Sequence, residues 1–171
     1  PAEDASDIKP KSTGKGFKVV VPKLSRIANF DDLDPLSADP NISVEMIFPG
    51  QPLPLDSDLV LLPGTKSTIG DLKFFREQGW DIDLAAYVRA GGQVLGICGG
   101  YQMLGQEIVD SEGIEGTPGR YKGLGHLDVV TEMHAEKRLA LVSGTDLISG
   151  ASVDGYEIHI GQTSGNDCDN H

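Results

Sequence analysis

Cys98 stands in Gly96-Ile-Cys-Gly-Gly100, at the end of the apolar run Val94-Leu-Gly-Ile97 and ahead of a helix-like pattern, Tyr101, Met103, Leu104 and Ile108. The form is G-x-C-x-G, the thiol counterpart of a nucleophile elbow, in which a sharp strand-to-helix turn lifts the nucleophile above a parallel sheet. Glycine on both sides suits such a turn, because its backbone angles and the close passage of the flanking chain leave no room for a side chain. A thiol at a helix N-terminus also faces N–H groups and the positive end of the helix dipole, which stabilise negative charge. The pattern points to acyl transfer through a thioester. The competing reading is a small buried cysteine that ends a core strand.

Acyl transfer needs two further kinds of group. The developing oxyanion needs main-chain N–H donors, each typically worth about 3 kcal/mol. Gly99, directly after the nucleophile, supplies one, and a neighbouring strand-end loop should supply the second. Pro63-Gly-Thr-Lys66, closing an apolar strand, is such a turn, although it also reads as an ordinary strand terminator. A histidine should move the proton, and the candidates are His126, His134, His159 and His171. On chemistry alone His159 is the best placed, on a strand-like stretch with Glu157 two residues earlier on the same face.

Two lysine-containing turns invite a phosphate-loop reading and fail it. The Walker pattern places Lys directly after Gly and a hydroxyl residue directly after Lys. Thr65 separates Gly64 from Lys66, and in Ser12-Thr-Gly-Lys-Gly16 the hydroxyl position is glycine with no strand before it. No ATP site is legible in the chain. His134 and Cys168 read as loop and tail residues without metal-ligand company, so no metal site is expected.

The elements that must position these groups alternate in type. Residues 17–21, 42–48 and 58–62 read as strands, the last closed by Pro63-Gly64. Helical spacing appears at Ile69, Leu72 and Phe75, and again at Ile82, Leu84, Ala85 and Val88, where Gly91-Gly92 ends it and Trp80 anchors its start. The stretch through Arg26, Asn29, Asp31, Asp32 and Pro35 reads as loop. After the elbow strand and its helix come three strand-like stretches, 125–130, 139–142 and 153–160. Strands alternating with helices in this way predict an α/β, doubly wound, mostly parallel sheet flanked by helices.

The composition bounds the rest. A chain of 171 residues suits one core, predicted over 17–171, with 1–16 a polar, glycine-containing linker. A formal net charge of −12 argues against nucleic acid. The two cysteines, far apart in sequence, suggest no disulfide framework and fit a reducing cytoplasm. No apolar stretch approaches membrane-spanning length, and no membrane partner is expected. The first residue is proline, as in a piece of a longer chain.

The segment around Cys98 resembles the nucleophile motif of the triad-type (class I) glutamine amidotransferases, and Gly96-Ile-Cys-Gly-Gly-Tyr-Gln-Met-Leu-Gly105 is similar to their corrinoid-amidating branch. Leu61-Leu-Pro-Gly-Thr-Lys-Ser-Thr-Ile69, Gln78-Gly-Trp-Asp81 and Gly155-Tyr-Glu-Ile-His-Ile-Gly161 agree, and together they resemble the C-terminal glutaminase half of the cobyric acid synthases, over about residues 17–167. The resemblance implies a flavodoxin-like fold, glutamine as substrate and Cys98 as nucleophile. It assigns Gly64 and Gly99 to the oxyanion hole and Gln102 to the substrate, where a simple amide cap is the alternative. ATP and magnesium would bind an N-terminal ATP- and corrinoid-binding domain of the same polypeptide, with no cofactor in this chain. The family's catalytic histidine sits in a downstream Gly-Thr-Tyr-x-His-Gly stretch that this sequence lacks. The fragment is therefore expected to be truncated before it and inactive or weakly active, with His159 a possible site residue. His126 falls where the family carries an apolar residue. Open alternatives are a related amidotransferase with another acceptor (an a,c-diamide synthase or a cell-wall glutaminase) and a non-catalytic glutamine-binding scaffold.

Overall fold

The computed structural model describes residues 16–135 and 138–169. The linker assignment at 1–16 thus lies outside the described residues except for Gly16, as does His171. The chain divides into two compact units, Pro1–Leu104 and Gly105–His171.

In the first unit, apolar runs pair into a parallel sheet. Strands β1 (Phe17–Pro22), β2 (Ile42–Ile47), β3 (Leu59–Leu62) and β4 (Gln93–Gly96) form the order β2-β1-β3-β4. All three pairings are parallel, with Val19 opposite both Val44 and Leu59, and Leu62 opposite Gly96. Val19 to Val21 and Val60 to Leu62 are almost wholly buried, as the central strands of a sheet covered on both faces must be. The chain passes from β2 on one side of β1 to β3 on the other. That reversal is the topological switch of a doubly wound sheet, beside whose carboxyl-end crevice such folds bind ligands.

The helices follow their apolar stripes. Helix α2 (Thr68–Glu77) buries Leu72 and Phe75, and α3 (Trp80–Arg89) buries Trp80, Leu84 and Tyr87. Gly79, at φ 76°, turns the chain between them. Trp80 does anchor the helix start: it is fully buried, packs edge-on against Phe75 with ring centroids 5.6 Å apart, and donates from Nε1 to Gln51 O at 2.7 Å. Gly91 ends α3 at φ 91°, and a Cβ on Gly92 would lie 2.3 Å from the Tyr87 ring. The stretch read as loop after β1 is partly helical, with a 3-10 turn at Phe30–Leu33 and a short helix α1 (Asp34–Ala38). Pro35 in its first turn pre-sets helical φ, and Leu33 and Leu36 join Val19, Val21 and Leu61 in the core.

The helix after the elbow is shorter than its spacing implied. Helix α4 (Gly99–Leu104) stops where the second unit begins, and Ile108 lies instead in strand β5 (Glu107–Asp110). Gln106 N donates to Val129 O at 2.8 Å, which takes the chain into strand pairing. The second unit builds a mixed sheet from β5, β6 (Gly119–Lys122), β7 (Val129–Glu132) and β10 (Gln162–Gly165), in the order β10-β7-β5-β6. Only the β5–β7 pairing is parallel. Between β7 and β10 the chain forms an antiparallel pair, β8 (Arg138–Thr145) and β9 (Ser152–His159).

The strand expected over 125–130 therefore begins only at Val129. Gly125, at φ 77°, bends the chain first, and Asp167 and Asn166 hold the bend through Asp128 N and Oδ2. His126 sits in this bend, and burial holds its imidazole below the ordinary 6.5. The unfolded chain then takes up the proton first, so the contribution of His126 is present above about 6.5 and is lost as pH falls through the lower folded value. The fall in Tm between about pH 7.5 and 5 should shrink in His126→Leu. An equal fall in both proteins by calorimetry would refute the assignment.

Candidate active site

The elbow is built as its glycines suggested. Beyond β4, Ile97 N still donates to Leu62 O at 2.9 Å, continuing the β3 pairing by one residue. The chain then reverses: Cys98 takes φ 50°, the one positive φ at a non-glycine residue among those described. Left-handed backbone costs a side-chain-bearing residue about 1–2 kcal/mol, and such strain collects where structure presents a reactive group. Gly100 N donates to Ile97 O at 2.8 Å and Gln102 N to Cys98 O at 3.1 Å, closing the turn into α4. The Cys98 side chain is left exposed, so it is not the buried strand-ending cysteine of the competing reading.

Each elbow glycine meets backbone or a packed neighbour. A Cβ on Gly96 would lie 2.6 Å from Tyr101 N, and one on Gly100 would lie 2.2 Å from Leu62 O. One on Gly99 would strike Thr65 Cγ2 at 2.5 Å and approach Thr65 N to 3.3 Å. The Gly64 turn therefore abuts the elbow: a Cβ there would lie 3.7 Å from Cys98 Cβ and 3.8 Å from Ile97 O. Gly64 and Cys98 are brought together at the carboxyl ends of the adjacent strands β3 and β4, as ligand groups of such sheets are.

The turn has its own support. Residues 26–28 run antiparallel to 64–66: Ala28 N donates to Gly64 O at 2.8 Å and Lys66 N to Arg26 O at 2.9 Å, around the Ile27–Thr65 bridge. Asp71, fully buried in the first turn of α2, sits behind both segments. Its Oδ1 accepts from Ser25 N at 2.9 Å and from Ser25 Oγ, and its Oδ2 from Arg26 N at 3.2 Å and from Thr65 Oγ1. Thr65 Oγ1 in turn accepts from Ser67 N at 3.0 Å. The Lys66 and Ser67 N–H groups are thus spent inside the protein.

Gln102 is buried in α4, its Oε1 accepting from Thr68 Oγ1 at 3.1 Å. Cys98, Gly64, Gly99 and Gln102 all belong to the first unit, and His159 to the second. His159 Nδ1 lies 2.7 Å from Gly161 O and Nε2 2.7 Å from Glu157 Oε1. The two contacts hold the ring from both sides, and which nitrogen donates depends on the tautomer. His134 is exposed in a loop, and Cys168 is half-buried in a 3-10 turn, Asn166–Cys168.

Asp71, Ser25, Thr65 and Thr68 were not singled out from sequence. A signal was present, since Thr68, Asp71, Leu72 and Phe75 fall on one helical stripe. A carboxylate on a buried stripe demands partners.

Residues 18–170 match the family model of the CobB/CobQ-like glutamine amidotransferase domain. The cobyric acid synthase of Paracoccus denitrificans is 61% identical over 168 residues, and that of Methylobacterium nodulans 56% over 171. Each alignment covers 98% of this chain and 35% of the relative, so the chain spans about a third of the length of these proteins. Among solved structures, PurLQS from Thermotoga maritima aligns with a TM-score of 0.64 at 18% identity, over 90% of this chain and 71% of the other. A crystal structure of a glutamine amidotransferase aligns with a TM-score of 0.54 at 20% identity, over 85% and 71%. At such identities these two show the α/β fold alone. With the family match running through both units and the elbow intact, the chain belongs to the CobB/CobQ-like glutamine amidotransferase domains.

Proposed function

We propose that this chain is the glutaminase part of a cobyric acid synthase, and that Cys98 releases ammonia from glutamine. The observation that carries the reading is the exposed Cys98 on a strained elbow, with Gly64 packed beside it. Cys98 Sγ attacks the side-chain amide carbon of glutamine, and the carbonyl oxygen takes the negative charge. The N–H groups of Gly64 and Gly99 hold that oxyanion. Collapse of the intermediate breaks the C–N bond, and the nitrogen leaves as ammonia carrying the proton that the thiol gave up. The γ-glutamyl thioester is then hydrolysed by water, releasing glutamate and restoring the thiol. Gln102, joined to Thr68, lines the substrate side.

In the longer polypeptide that the relatives represent, the ammonia would go to corrinoid carboxylates activated with ATP and magnesium. That chemistry belongs to the N-terminal domain expected there and serves cobalamin biosynthesis. A cytoplasmic setting agrees with Cys98 and Cys168 standing outside any disulfide. No helix among the described residues is long and apolar enough to cross a membrane.

A chloroketone analogue of glutamine, followed by peptide mapping, tests the nucleophile. It should label Cys98 and spare Cys168, and iodoacetamide should also alkylate Cys98 faster. Cys98 inert while Cys168 reacts would sink the reading. The base is tested by turnover. The 171-residue chain alone should hydrolyse glutamine slowly, and a polypeptide extended through the Gly-Thr-Tyr-x-His-Gly stretch should gain about 10²–10⁴-fold. Equal rates, abolished by His159→Ala, would make His159 the base.

A further inference from the structure

We propose that Asp71 is a positioning residue for the oxyanion hole: its buried carboxylate clamps the 25–26 segment to the Gly64-Thr65 turn and thereby sets the aim of the Gly64 N–H. The inference rests on the glutaminase reading and extends it to a residue that touches neither substrate nor nucleophile.

The four donors to Asp71 come from two segments far apart in sequence, Ser25-Arg26 and Thr65, while the carboxylate itself is carried on α2. Three pieces of chain are tied at one point. A buried carboxylate is costly to desolvate unless hydrogen-bonded. Here both oxygens are engaged, and the first turn of α2 adds the favourable end of the helix dipole. Thr65 passes the constraint on, because its Oγ1 bonds Asp71 while its Cγ2 and N face Gly99. Ala28 N, in the segment that Asp71 also holds, fixes the Gly64 carbonyl and with it the 64–65 peptide that follows the Gly64 N–H. Gly64 is therefore anchored on its C-terminal side, which limits how far the preceding peptide, with its N–H, can rotate about the Gly64 Cα. Oxyanion stabilisation depends on that rotation, since a donor acts only when aimed at the oxygen of the intermediate.

Cys98 is held differently, by β4 and by the turn into α4. Loss of Asp71 should thus disturb the oxyanion donors and spare the thiol. Two electrophiles separate these effects. A glutamine chloroketone is attacked at its carbonyl and passes through an oxyanion before Sγ displaces chloride. Iodoacetamide is attacked at a saturated carbon and forms none.

In Asp71→Asn, which keeps the shape but presents an amide to the donors, the chloroketone rate at Cys98 should fall by about tenfold or more, with the iodoacetamide rate within about twofold. Thr65→Val should reproduce the effect and Thr65→Ser should restore most of the ratio, which covers the case in which Asp71→Asn does not fold. A wild-type ratio in Asp71→Asn, or in Thr65→Val where Asp71→Asn does not fold, would overturn the inference while leaving the glutaminase reading intact. So would an equal loss of both rates, which marks general disruption. A wild-type protein that neither reagent labels at Cys98 would instead defeat the glutaminase reading, and this inference with it.

Discussion

Cys98→Ala should lower glutamine hydrolysis by at least about 10⁴-fold when measured in a polypeptide extended through the Gly-Thr-Tyr-x-His-Gly stretch. The size follows from the role proposed for the thiol. Without Sγ there is no thioester, and the reaction reverts to direct attack of water on an amide, one of the least electrophilic acyl groups. The oxyanion donors would remain and sustain a residual rate, which is why the loss is large yet finite. Nothing else in the elbow can substitute, because its other residues are Gly96, Ile97, Gly99 and Gly100. Steady-state glutamate release measures the effect, and the chloroketone mass shift should vanish from the peptide containing residue 98. Retention of more than about a hundredth of the rate would place the nucleophile elsewhere.

Gly100→Ala should be among the most damaging single-carbon changes in the first unit. Its Cβ would lie 2.2 Å from Leu62 O, 2.7 Å from Leu62 C and 2.8 Å from Pro63 O, all main-chain atoms. They cannot withdraw easily, because Leu62 O already accepts from Ile97 N and Leu62 is locked opposite Gly96. Relief would require β3 and α4 to part. A cost of about 3 kcal/mol or more is expected, which for a chain of this size lowers Tm by about 6–12 °C. Gly144→Ala is the control, since a Cβ there meets nothing within 4 Å, and it should stay within about 0.5 kcal/mol of wild type. Equal melting of the two variants would show that the close approach at Gly100 can relax.

How far the molecule was legible in sequence differs between its halves. Up to Leu104 the reading was close: three strands, two helices and the elbow fall within a residue or two of their expected places. These elements are long or strongly apolar, and parallel strands buried on both faces write themselves as runs such as Val19-Val20-Val21. After Gly105 the reading missed β5, β6 and β10 and misplaced the start of β7. Those strands are four residues each, and segments such as Gly119-Arg-Tyr-Lys122 and Gln162-Thr-Ser-Gly165 have few apolar side chains to display a period. They become strands because a partner supplies their hydrogen bonds, and that partner is distant in sequence.

The site divides along the same line. The turn that presents Cys98 was legible in sequence alone, because an elbow needs glycines at fixed neighbours of Cys98, so residue type and spacing carry the whole signal. The pairing of Gly64 with Cys98 came through family likeness and through two strands read independently. Tertiary structure decided that these strands lie side by side. It also decided what no local pattern could encode: that Asp71 ties Ser25 to Thr65, and that Gln102 turns inward to Thr68. Covalent and backbone requirements are local and leave marks at short spacing. Hydrogen bonds between distant segments leave none until the sheet has brought those segments together.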